Sequence, residues 1–382
     1  MQKIRVGKYR ILDKTRRRGY NFYIDFRNMR KSNMATITLK AIKLENVKAV
    51  LNAIAGERQM TKLEVSKETG LSLMTVGKIT SILSAEGLLA RSKSTGQTAG
   101  RRAEIFKLRQ DWLIPVFDLS TTNFKFFVAT PKGEILDKVE YPCTTEPQYT
   151  TSEFIRFLSL TLDMLKKKYT KRHAIGIGVS ICGVYNADSD QILSTMQPEL
   201  ASIKLMQNIT KIFKQKNVII ENANRLCAAG VIESTENYRS RCIACLTVNE
   251  SIECTVCENG IYLQGANGFA GKFGDLPYAP YFTYANFFRN AQSLRDITDP
   301  LADLLKTVVA AYDPDLIYFC TQKFAMTPNI FKTVEHAIFP ATVWKNTKPV
   351  VKPVYTSENE ILSAIAARVI ENWVNNIVDS DT

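Results

Sequence analysis

Positively charged side chains that could bind a polyanion are concentrated in the first third of this 382-residue chain. Residues 1–33 contain eleven Lys or Arg and two Asp, a balance of +9, and residues 34–110 contain thirteen Lys or Arg and six Glu, a balance of +7. The rest of the chain carries a balance of −3, although the whole is at +13. This uneven distribution favours a polyanion, such as nucleic acid, as the partner of the first third alone.

Two cysteine pairs have the spacing of zinc ligands, Cys242 with Cys245 and Cys254 with Cys257. The residues inside each pair are apolar or β-branched, which favours strands, and positions i and i+3 of a strand point to opposite faces. Two thiols so placed cannot share a metal ion, and we therefore expect no metal site here. We expect the cysteines of this chain to be reduced thiols, as in other cytosolic proteins.

The basic extension at residues 1–33 does not have the composition of a secretory signal, since it carries Arg16-Arg17-Arg18 and five aromatic residues. A basic arm that follows DNA, a disordered extension, and an upstream start with Met34 as the true first residue are all consistent with it. No run in the chain reaches the roughly 18 apolar residues that suggest a membrane span. We therefore expect a cytoplasmic protein with no membrane partner.

Residues 34–110 have the element order of a winged helix-turn-helix. Apolar residues at helical spacing predict a first helix over residues 45–56. A Thr-x-x-Glu capping box at Thr61 starts a short second helix, which stops at Gly70. Ser72 then precedes a third helix with an apolar stripe. Two short helices joined by a Gly-Leu-Ser turn are typical of a helix-turn-helix.

The third helix is followed by two strands, predicted over residues 88–92 and 104–108, with the polar stretch KSTGQTAGRR between them as a wing. The early residues of a recognition helix meet base edges in the major groove, and arginines at a wing tip suit a narrow minor groove. The candidates for contact with double-stranded DNA are Ser72, Leu73, Met74, Thr75 and Lys78 in the helix, and Gly100, Arg101 and Arg102 in the wing.

From residue 111 onward, clusters of short apolar strands alternate with amphipathic helices, which predicts an α/β body of two lobes. We expect residues 111–232 to form the first lobe, completed by a C-terminal helix at residues 358–378, and residues 233–357 to form the second. Strands are predicted at residues 116–119, 124–130, 175–181, 218–221, 243–248, 254–258, 261–263 and 316–320, and helices at residues 152–168, 224–233, 301–311 and 358–376.

Five segments together resemble the ROK family, named for repressor, open reading frame and kinase. They are the Gly-Arg-Arg of the wing, Asp118-Leu119-Ser120-Thr121-Thr122 for an Asp-x-Gly-Gly-Thr turn, residues 178–183 for Gly-x-x-x-Pro-Gly, residues 220–224 for Glu-Asn-Asp-Ala-Asn, and residues 265–275 for Gly-Ala-Asn-Gly-x-Ala-Gly-Glu-x-Gly-His. The last match is the most specific. The resemblance covers about residues 45–378, and implies a winged helix-turn-helix joined to a two-lobed, actin-like (ribonuclease H-like) sugar-kinase fold.

The family's kinase chemistry requires residues that this chain replaces. Its catalytic Asp corresponds to Asn222, and an amide cannot accept a proton at neutral pH. Glycines of the first phosphate turn correspond to Ser120 and Thr121, and a later Gly-Gly corresponds to Cys320-Thr321, so side chains stand where the phosphates need close backbone approach.

The second phosphate loop of the family corresponds to residues 249–253, which carry no glycine. Glu250 and Glu253 in this segment are expected to face a bound polyphosphate and repel it. These replacements together predict no catalytic residues, no kinase activity and no nucleotide cofactor.

The positions that contact or support sugar in the family remain polar. Lys272 replaces a carboxylate that grips sugar, and Asp275 replaces a His. The resemblance therefore implies either a pocket for a sugar, sugar-phosphate or acidic sugar, or a vestigial pocket. The effector-binding candidates are Glu221, Asn222, Asn267, Lys272 and Asp275.

A DNA-binding transcription regulator follows from these expectations, in particular a repressor of carbohydrate-metabolism genes that a sugar-derived effector could control. A homodimer or homotetramer would place two heads over an inverted-repeat operator. Two alternatives stay open: an ATP-dependent sugar kinase with an appended DNA-binding domain, and a constitutive DNA-binding protein whose body is purely structural.

Overall fold

The computed structural model describes residues 39–54, 59–93, 103–109, 111–121, 123–131, 134–141, 150–195, 197–249, 251–280, 282–293, 296–321, 332, 336, 349–354 and 358–380. Within these residues the chain forms a small head of three helices and a three-stranded sheet, followed by an α/β body with two larger mixed sheets. No helix in the described ranges combines the length and the apolar character that crossing a membrane requires.

The head has the element order predicted for a winged helix-turn-helix. Its elements are α1 (Leu39–Ile54), β1 (Met60–Thr61), α2 (Lys62–Thr69), α3 (Leu73–Ala85), β2 (Leu89–Lys93) and β3 (Glu104–Leu108). Strand β3 lies between β1 and β2, and both pairings are antiparallel. Helix α1 begins earlier than the sequence predicted, because Leu44 packs against the core and extends its apolar face.

Local signals fix the ends of α2 and α3. Thr61 Oγ1 accepts a hydrogen bond from the backbone N–H of Glu64 at 3.3 Å, and the Glu64 carboxylate accepts one from the N–H of Thr61 at 2.7 Å. Gly70, at φ +72°, ends α2 in the left-handed conformation that favours glycine. Ser72 Oγ accepts from the Thr75 N–H at 3.1 Å and starts α3. The capping box and the turn predicted from the sequence are confirmed.

The first lobe is built on a sheet with the order β11-β8-β4-β5-β6. Strands β4, β8 and β11 run parallel, and β5 and β6 continue the sheet antiparallel. The elements are β4 (Trp112–Leu119), β5 (Phe124–Ala129), β6 (Ile135–Tyr141), α4 (Thr151–Lys168), β7 (His173–Ala174), β8 (Ile177–Ile181), β9 (Gly183–Asn186), β10 (Gln191–Thr195), α5 (Pro198–Ala201), α6 (Leu205–Phe213), β11 (Val218–Asn222) and α7 (Ala223–Glu233).

The second lobe has a sheet with the order β14-β13-β12-β17-β18, in which β12, β17 and β18 run parallel. A buried cluster between this sheet and α9 forms its core. The elements are β12 (Cys242–Val248), β13 (Ile252–Glu258), β14 (Ile261–Tyr262), β15 (Pro277–Ala279), β16 (Phe282–Thr283), α8 (Tyr284–Asn290), α9 (Thr298–Tyr312), β17 (Leu316–Cys320) and β18 (Val350–Val354).

A long final helix, α10 (Glu358–Ser380), returns to the first lobe and reaches the head. It packs against α7 and against strands β4, β8 and β11, and it contacts α1. One buried apolar cluster includes Val47 and Val50 of α1 together with Ile365 and Val369 of α10. A Cβ on Gly178 would lie 2.6 Å from Ile365, so this glycine lets α10 approach the sheet. Head and first lobe thus share a core through α10.

Candidate functional site

The beginning of α3 presents the DNA-binding candidates to solvent. Leu73 and Met74 are 53% and 73% exposed, and Lys78 is exposed one turn further along. Thr75 is half-buried, and its hydroxyl lies 2.9 Å from that of Ser72. The opposite face of α3 is buried in the core of the head. Two large apolar side chains beside a lysine at the start of a helix suit contact with thymine methyl groups and a phosphate.

The exposed face of α3 also contains Gly77, which is not among the residues predicted from the sequence to contact DNA. Gly77 lies one turn after Met74 and one turn before Ser81, and a Cβ there would have no heavy atom within 4 Å. A glycine in a helix interior is less stable than an alanine, and it suits a position where a partner approaches the backbone closely. Gly77 could have been selected from the sequence, because it lies on the face of α3 opposite the apolar stripe.

The wing candidates lie outside the described residues, so Gly100, Arg101 and Arg102 stay predictions. Strands β2 and β3 that lead to them pair in register from Leu89 with Leu108 to Lys93 with Glu104.

In the body, the polar candidates Asn222 and Lys272 converge on a single carboxylate. Lys272 Nζ donates to Glu253 Oε1 at 2.6 Å, and Asn222 Nδ2 donates to the same oxygen at 3.1 Å. The side chains of Lys272 and Glu253 are only 11% and 5% exposed. Because the positive charge of Lys272 is compensated within the protein, it is not available to select an anionic ligand unless this pair breaks.

The orientation of Glu253 differs from the sequence expectation. We expected its carboxylate to face a bound polyphosphate, whereas the side chain points inward and accepts hydrogen bonds from Lys272, Asn222 and Ser251. Strand alternation is the reason, since Glu253 lies within β13, opposite Thr247 of β12. The expectation that the Glu253 carboxylate repels a bound polyphosphate is therefore wrong. Glu250 lies outside the described residues.

Asn222 has both ends of its amide engaged. Its Oδ1 accepts from the backbone N–H of Arg225 at 3.0 Å and caps the start of α7. Its Nδ2 donates to the carbonyl oxygen of Gly183 at 2.8 Å as well as to Glu253. Asn222, which the resemblance aligns with a catalytic Asp, is thus a buried side chain that links three parts of the fold.

The other three effector candidates are arranged less closely. Glu221 is half-buried, and its Oε1 accepts from the Asn222 N–H at 3.2 Å. Asn267 and Asp275 are exposed on the loop that carries Lys272. The structure therefore brings Asn222, Glu221 and Lys272 into one neighbourhood and leaves Asn267 and Asp275 at the surface.

The loop that carries Lys272 is fixed to β13 by a close backbone contact. Cys254 N–H donates to the carbonyl oxygen of Gly271 at 2.8 Å. Gly271 is at φ +81°, and a Cβ there would lie 1.9 Å from the carbonyl oxygen of Cys254. Only glycine fits at this position, and its placement brings the next residue, Lys272, over Glu253.

The first phosphate turn of the resemblance is also satisfied internally. Asp118 is buried, and its Oδ1 accepts from Ser120 Oγ at 2.6 Å and from Ser180 Oγ at 2.8 Å. Gln197 Nε2 donates to the carbonyl oxygen of Thr121 at 2.7 Å. The backbone N–H and the hydroxyl of Ser120, which could otherwise donate to a phosphate, both donate to Asp118 Oδ1 instead.

Both cysteine pairs lie within strands, as the sequence predicted. The Sγ atoms of Cys245 and Cys320 lie 3.2 Å apart in a buried cluster, and burial raises the pKa of the Cys254 thiol far above its ordinary value. No group of three or more potential metal ligands occurs among the residues that the structure describes.

The body of this chain is similar to a repressor and to a kinase among known proteins. The ROK family model matches residues 116–292. The xylose repressor of Staphylococcus xylosus is 23% identical over 238 residues, 60% of this chain and 60% of that protein. The glucokinase of Halalkalibacterium halodurans is 25% identical over 171 residues, 44% of this chain and 51% of that protein. The chain therefore spans less than two thirds of the length of both relatives.

Solved structures support the fold. The crystal structure of a ROK family transcriptional regulator, a homolog of the E. coli MLC protein, superposes with a TM-score of 0.64 at 16% identity, covering 88% of this chain and 99% of that one. A ROK family protein from Streptococcus pneumoniae TIGR4 in complex with sucrose gives a TM-score of 0.52 at 18% identity, covering 71% of this chain and 100% of that one. Both likenesses support the α/β architecture of two mixed sheets, and the match to the ROK regulator, over 88% of this chain, also includes the N-terminal helical region.

Proposed function

We propose that this chain is a ROK-type DNA-binding transcription regulator whose body does not phosphorylate sugar, and the match of the ROK family model to residues 116–292 supports this proposal. The observation that carries this proposal is the exposed leading face of α3. A helix held by a Ser72 cap and a buried opposite face presents Leu73, Met74 and Lys78 at the basic end of the chain. Such a helix fits the major groove of double-stranded DNA.

The body supports a role other than phosphoryl transfer. Asn222 offers no base, and its amide is engaged by Gly183, Glu253 and the start of α7. Ser120 occupies the first phosphate turn and bonds to Asp118. A kinase requires both a proton acceptor at the attacked hydroxyl and an open cradle for phosphates.

We propose repression of carbohydrate-metabolism genes as the biological role. The match to a protein named as a xylose repressor supports this choice. A sugar or sugar-phosphate effector would contact Glu221, Asn222, Asn267, Lys272 and Asp275, and a homodimer or homotetramer would place two heads over an inverted repeat. We keep residues 34–110 as the DNA-binding domain, 111–232 with 358–378 as the first lobe, and 233–357 as the second.

Selection from a random-sequence duplex library tests the DNA-binding function directly. We expect the purified full chain to enrich a defined, two-fold related sequence. Arg101→Ala combined with Arg102→Ala should weaken binding to the enriched duplex and lower the salt dependence by about two units, because up to two phosphate contacts are lost.

A control variant with the same change of charge is Lys166→Ala with Lys167→Ala, which removes two exposed lysines from the far end of α4. It should bind as the unaltered chain does. Absence of any enriched sequence, together with ADP release from ATP in the presence of a hexose, would instead favour the sugar kinase with an appended DNA-binding domain.

A further inference from the structure

A group of buried and half-buried polar side chains joins the two lobes where the resemblance places sugar. Asn222 and Asn224 belong to the first lobe, and Ser251, Glu253 and Lys272 belong to the second. Asn222 Nδ2 donates to Glu253 Oε1 at 3.1 Å, and Asn224 Nδ2 donates to Ser251 Oγ at 2.7 Å, so both bonds cross between lobes. We call these five residues the clasp.

The clasp satisfies its own bonding needs without a ligand. Glu253 Oε1 accepts from Lys272, Asn222 and Ser251, and the carboxylate and the ammonium are both almost fully buried. A buried ion pair is stable only when further hydrogen bonds complete it, and here the first lobe supplies one of them. The Glu253 carboxylate thus accepts hydrogen bonds from both lobes. A polar ligand bound between the lobes would connect them in the same way.

Helix α7 connects the clasp with a second charged group. The helix starts at Asn222 and ends at Glu233, whose Oε1 accepts from Arg368 Nη2 of α10 at 3.0 Å. Arg368 Nη1 donates to Glu371 Oε2 at 2.9 Å, one turn further along α10. Arg368 therefore joins the far end of α7 to the last part of α10.

The same helix α10 carries this connection into the head. Glu371 Oε1 lies 3.6 Å from Lys48 Nζ of α1, and the Lys48 side chain is 9% exposed. Burial alone would raise the pKa of Glu371, but the charges of Arg368 and Lys48 hold it below the ordinary value, so the carboxylate is ionised. Lys48 is thus a basic residue of the head that faces the body instead of DNA.

The end of α10 also lies beside the recognition helix. Ile377 lines one groove together with Met74 and Lys78 of α3, and with Val47 of α1. Val47 and Ile377 belong to the shared apolar cluster of head and first lobe. A displacement of α10 against α1 would therefore act directly on the surface that presents the DNA-binding candidates.

We infer that the clasp is a built-in substitute for a bound ligand, and that the chain Glu233–Arg368–Glu371–Lys48 couples its closure to the orientation of the DNA-binding head. The inference rests on the proposed function and specifies how the body controls it. In this proposal the clasped arrangement, in which Leu73 and Met74 are exposed, is the one that binds DNA. Opening the clasp therefore weakens binding, and an effector acts by displacing Lys272 from Glu253.

The test is a double-mutant cycle on DNA affinity, because spatial connection alone does not demonstrate coupling. The duplex enriched by selection serves as the probe, and fluorescence anisotropy gives the dissociation constants at a temperature where circular dichroism shows every variant folded. We expect Lys272→Gln and Arg368→Gln each to weaken binding by at least about fivefold, a typical size for coupling between sites. Combined, they should weaken it no more than the stronger single change, since both interrupt the same connection.

The control variant is Lys306→Gln, which removes a lysine from an exposed ion pair with Asp303 on α9 of the same lobe. It should bind within about twofold of the unaltered chain, as expected for a surface ion pair. If Lys272→Gln does not fold, Asn224→Ala takes its place, because it removes the 2.7 Å bond to Ser251 and the 3.5 Å bond from Asn249, both between the lobes, and leaves the ion pair of Lys272 with Glu253 in place.

The outcomes separate this inference from the function on which it rests. An unaltered chain that enriches no duplex overturns both. An unaltered chain that binds its duplex, with clasp variants of equal affinity, overturns the inference alone. Clasp and Arg368→Gln effects that simply multiply in the double variant also overturn it, because independent sites add in free energy.

Discussion

The head and the body of this chain differ in the exposure of the side chains that the sequence selects as functional candidates. On α3, Leu73, Met74 and Lys78 are left exposed by a fold that buries the opposite face of the same helix. In the body, Glu253 and Lys272 point inward and bond to each other and to their neighbours. The difference supports the proposal that the head contacts an outside partner and that these groups of the body hold its lobes together.

This contrast has a simple energetic basis. An exposed side chain that packs against nothing contributes little to folding, so its removal changes binding alone. When a buried, fully hydrogen-bonded polar group is removed, its partners stay buried without a hydrogen bond. The fold then loses the full desolvation free energy of those partners. Substitutions in the body should therefore act first on the free energy of unfolding, and substitutions on α3 should act on DNA affinity.

The largest effect is expected for Gly271→Ala in the body. The new Cβ would lie 1.9 Å from the carbonyl oxygen of Cys254 at a φ of +81°, so backbone must move. We expect the free energy of unfolding in urea to fall by about 3–5 kcal/mol. Gly70→Ala in the head is the control, since φ is +72° but no atom lies within 4 Å, and it should cost only about 1–2 kcal/mol. Equal losses would mean that the loop carrying Lys272 is not fixed to β13.

Asn222→Asp is expected to destabilise the body without creating a kinase. The substitution replaces an amide that donates to Gly183 and Glu253 by a carboxylate that faces both acceptors in a buried site. We expect a loss of about 2–4 kcal/mol in the free energy of unfolding at neutral pH. ADP release with ATP and a hexose panel should stay at background.

Asn290→Asp provides the comparison for this change, because Asn290 is exposed at the end of α8. It should lower the free energy of unfolding by no more than about 1 kcal/mol, because the new charge at the end of the helix and the lost bond to the carbonyl oxygen of Asn286 are both exposed. If Asn222→Asp is as stable as the unaltered chain and releases ADP, then the body has kept a kinase site that lacks only its base, and the contrast between head and body fails.

On α3, Met74→Ala and Lys78→Ala should lower DNA affinity in two different ways. Lys78→Ala should reduce the salt dependence of binding by about one unit on every duplex, as expected for a lost phosphate contact. Met74→Ala should keep the salt dependence and cost about 1 kcal/mol on the selected duplex only, since an apolar contact to a base is lost. Thermal unfolding of both should match the unaltered chain, and a loss of stability would show that these side chains serve the fold.

The sequence predicted the head well because its signals are local. The cap at Ser72 and the capping box of Thr61 with Glu64 each act within four residues, so their chemistry can be read without the fold. The same is true of Gly70, whose left-handed conformation ends α2. The start of α1 was placed too late, because the burial of Leu44 depends on packing with the rest of the core.

The body pocket could be predicted only in part, because it depends on contacts between distant residues. The pair of Glu253 and Lys272 forms because a backbone contact between Gly271 and Cys254 folds the loop over β13. The direction of the Glu253 side chain depends on its register in the strand, which the sequence alone did not fix. The ion pair of Lys48 with Glu371 joins residues that are far apart in the sequence, so no short sequence pattern predicts it.

Gly77→Ala combines a small expected gain in stability with the clearest separation of folding from binding. Gly77 lies on the exposed face of α3, where a Cβ meets no atom of the protein, so alanine should raise the free energy of unfolding by about 0.5–1 kcal/mol. If DNA approaches the α3 backbone there, the same methyl group should weaken binding to the selected duplex. Ser159→Ala on the exposed face of α4 is the control, with a small gain in stability and unchanged binding. Gly77→Ala that gains stability and keeps its affinity would mean that DNA does not reach this part of α3, and the contact surface would then be confined to the first turn of the helix.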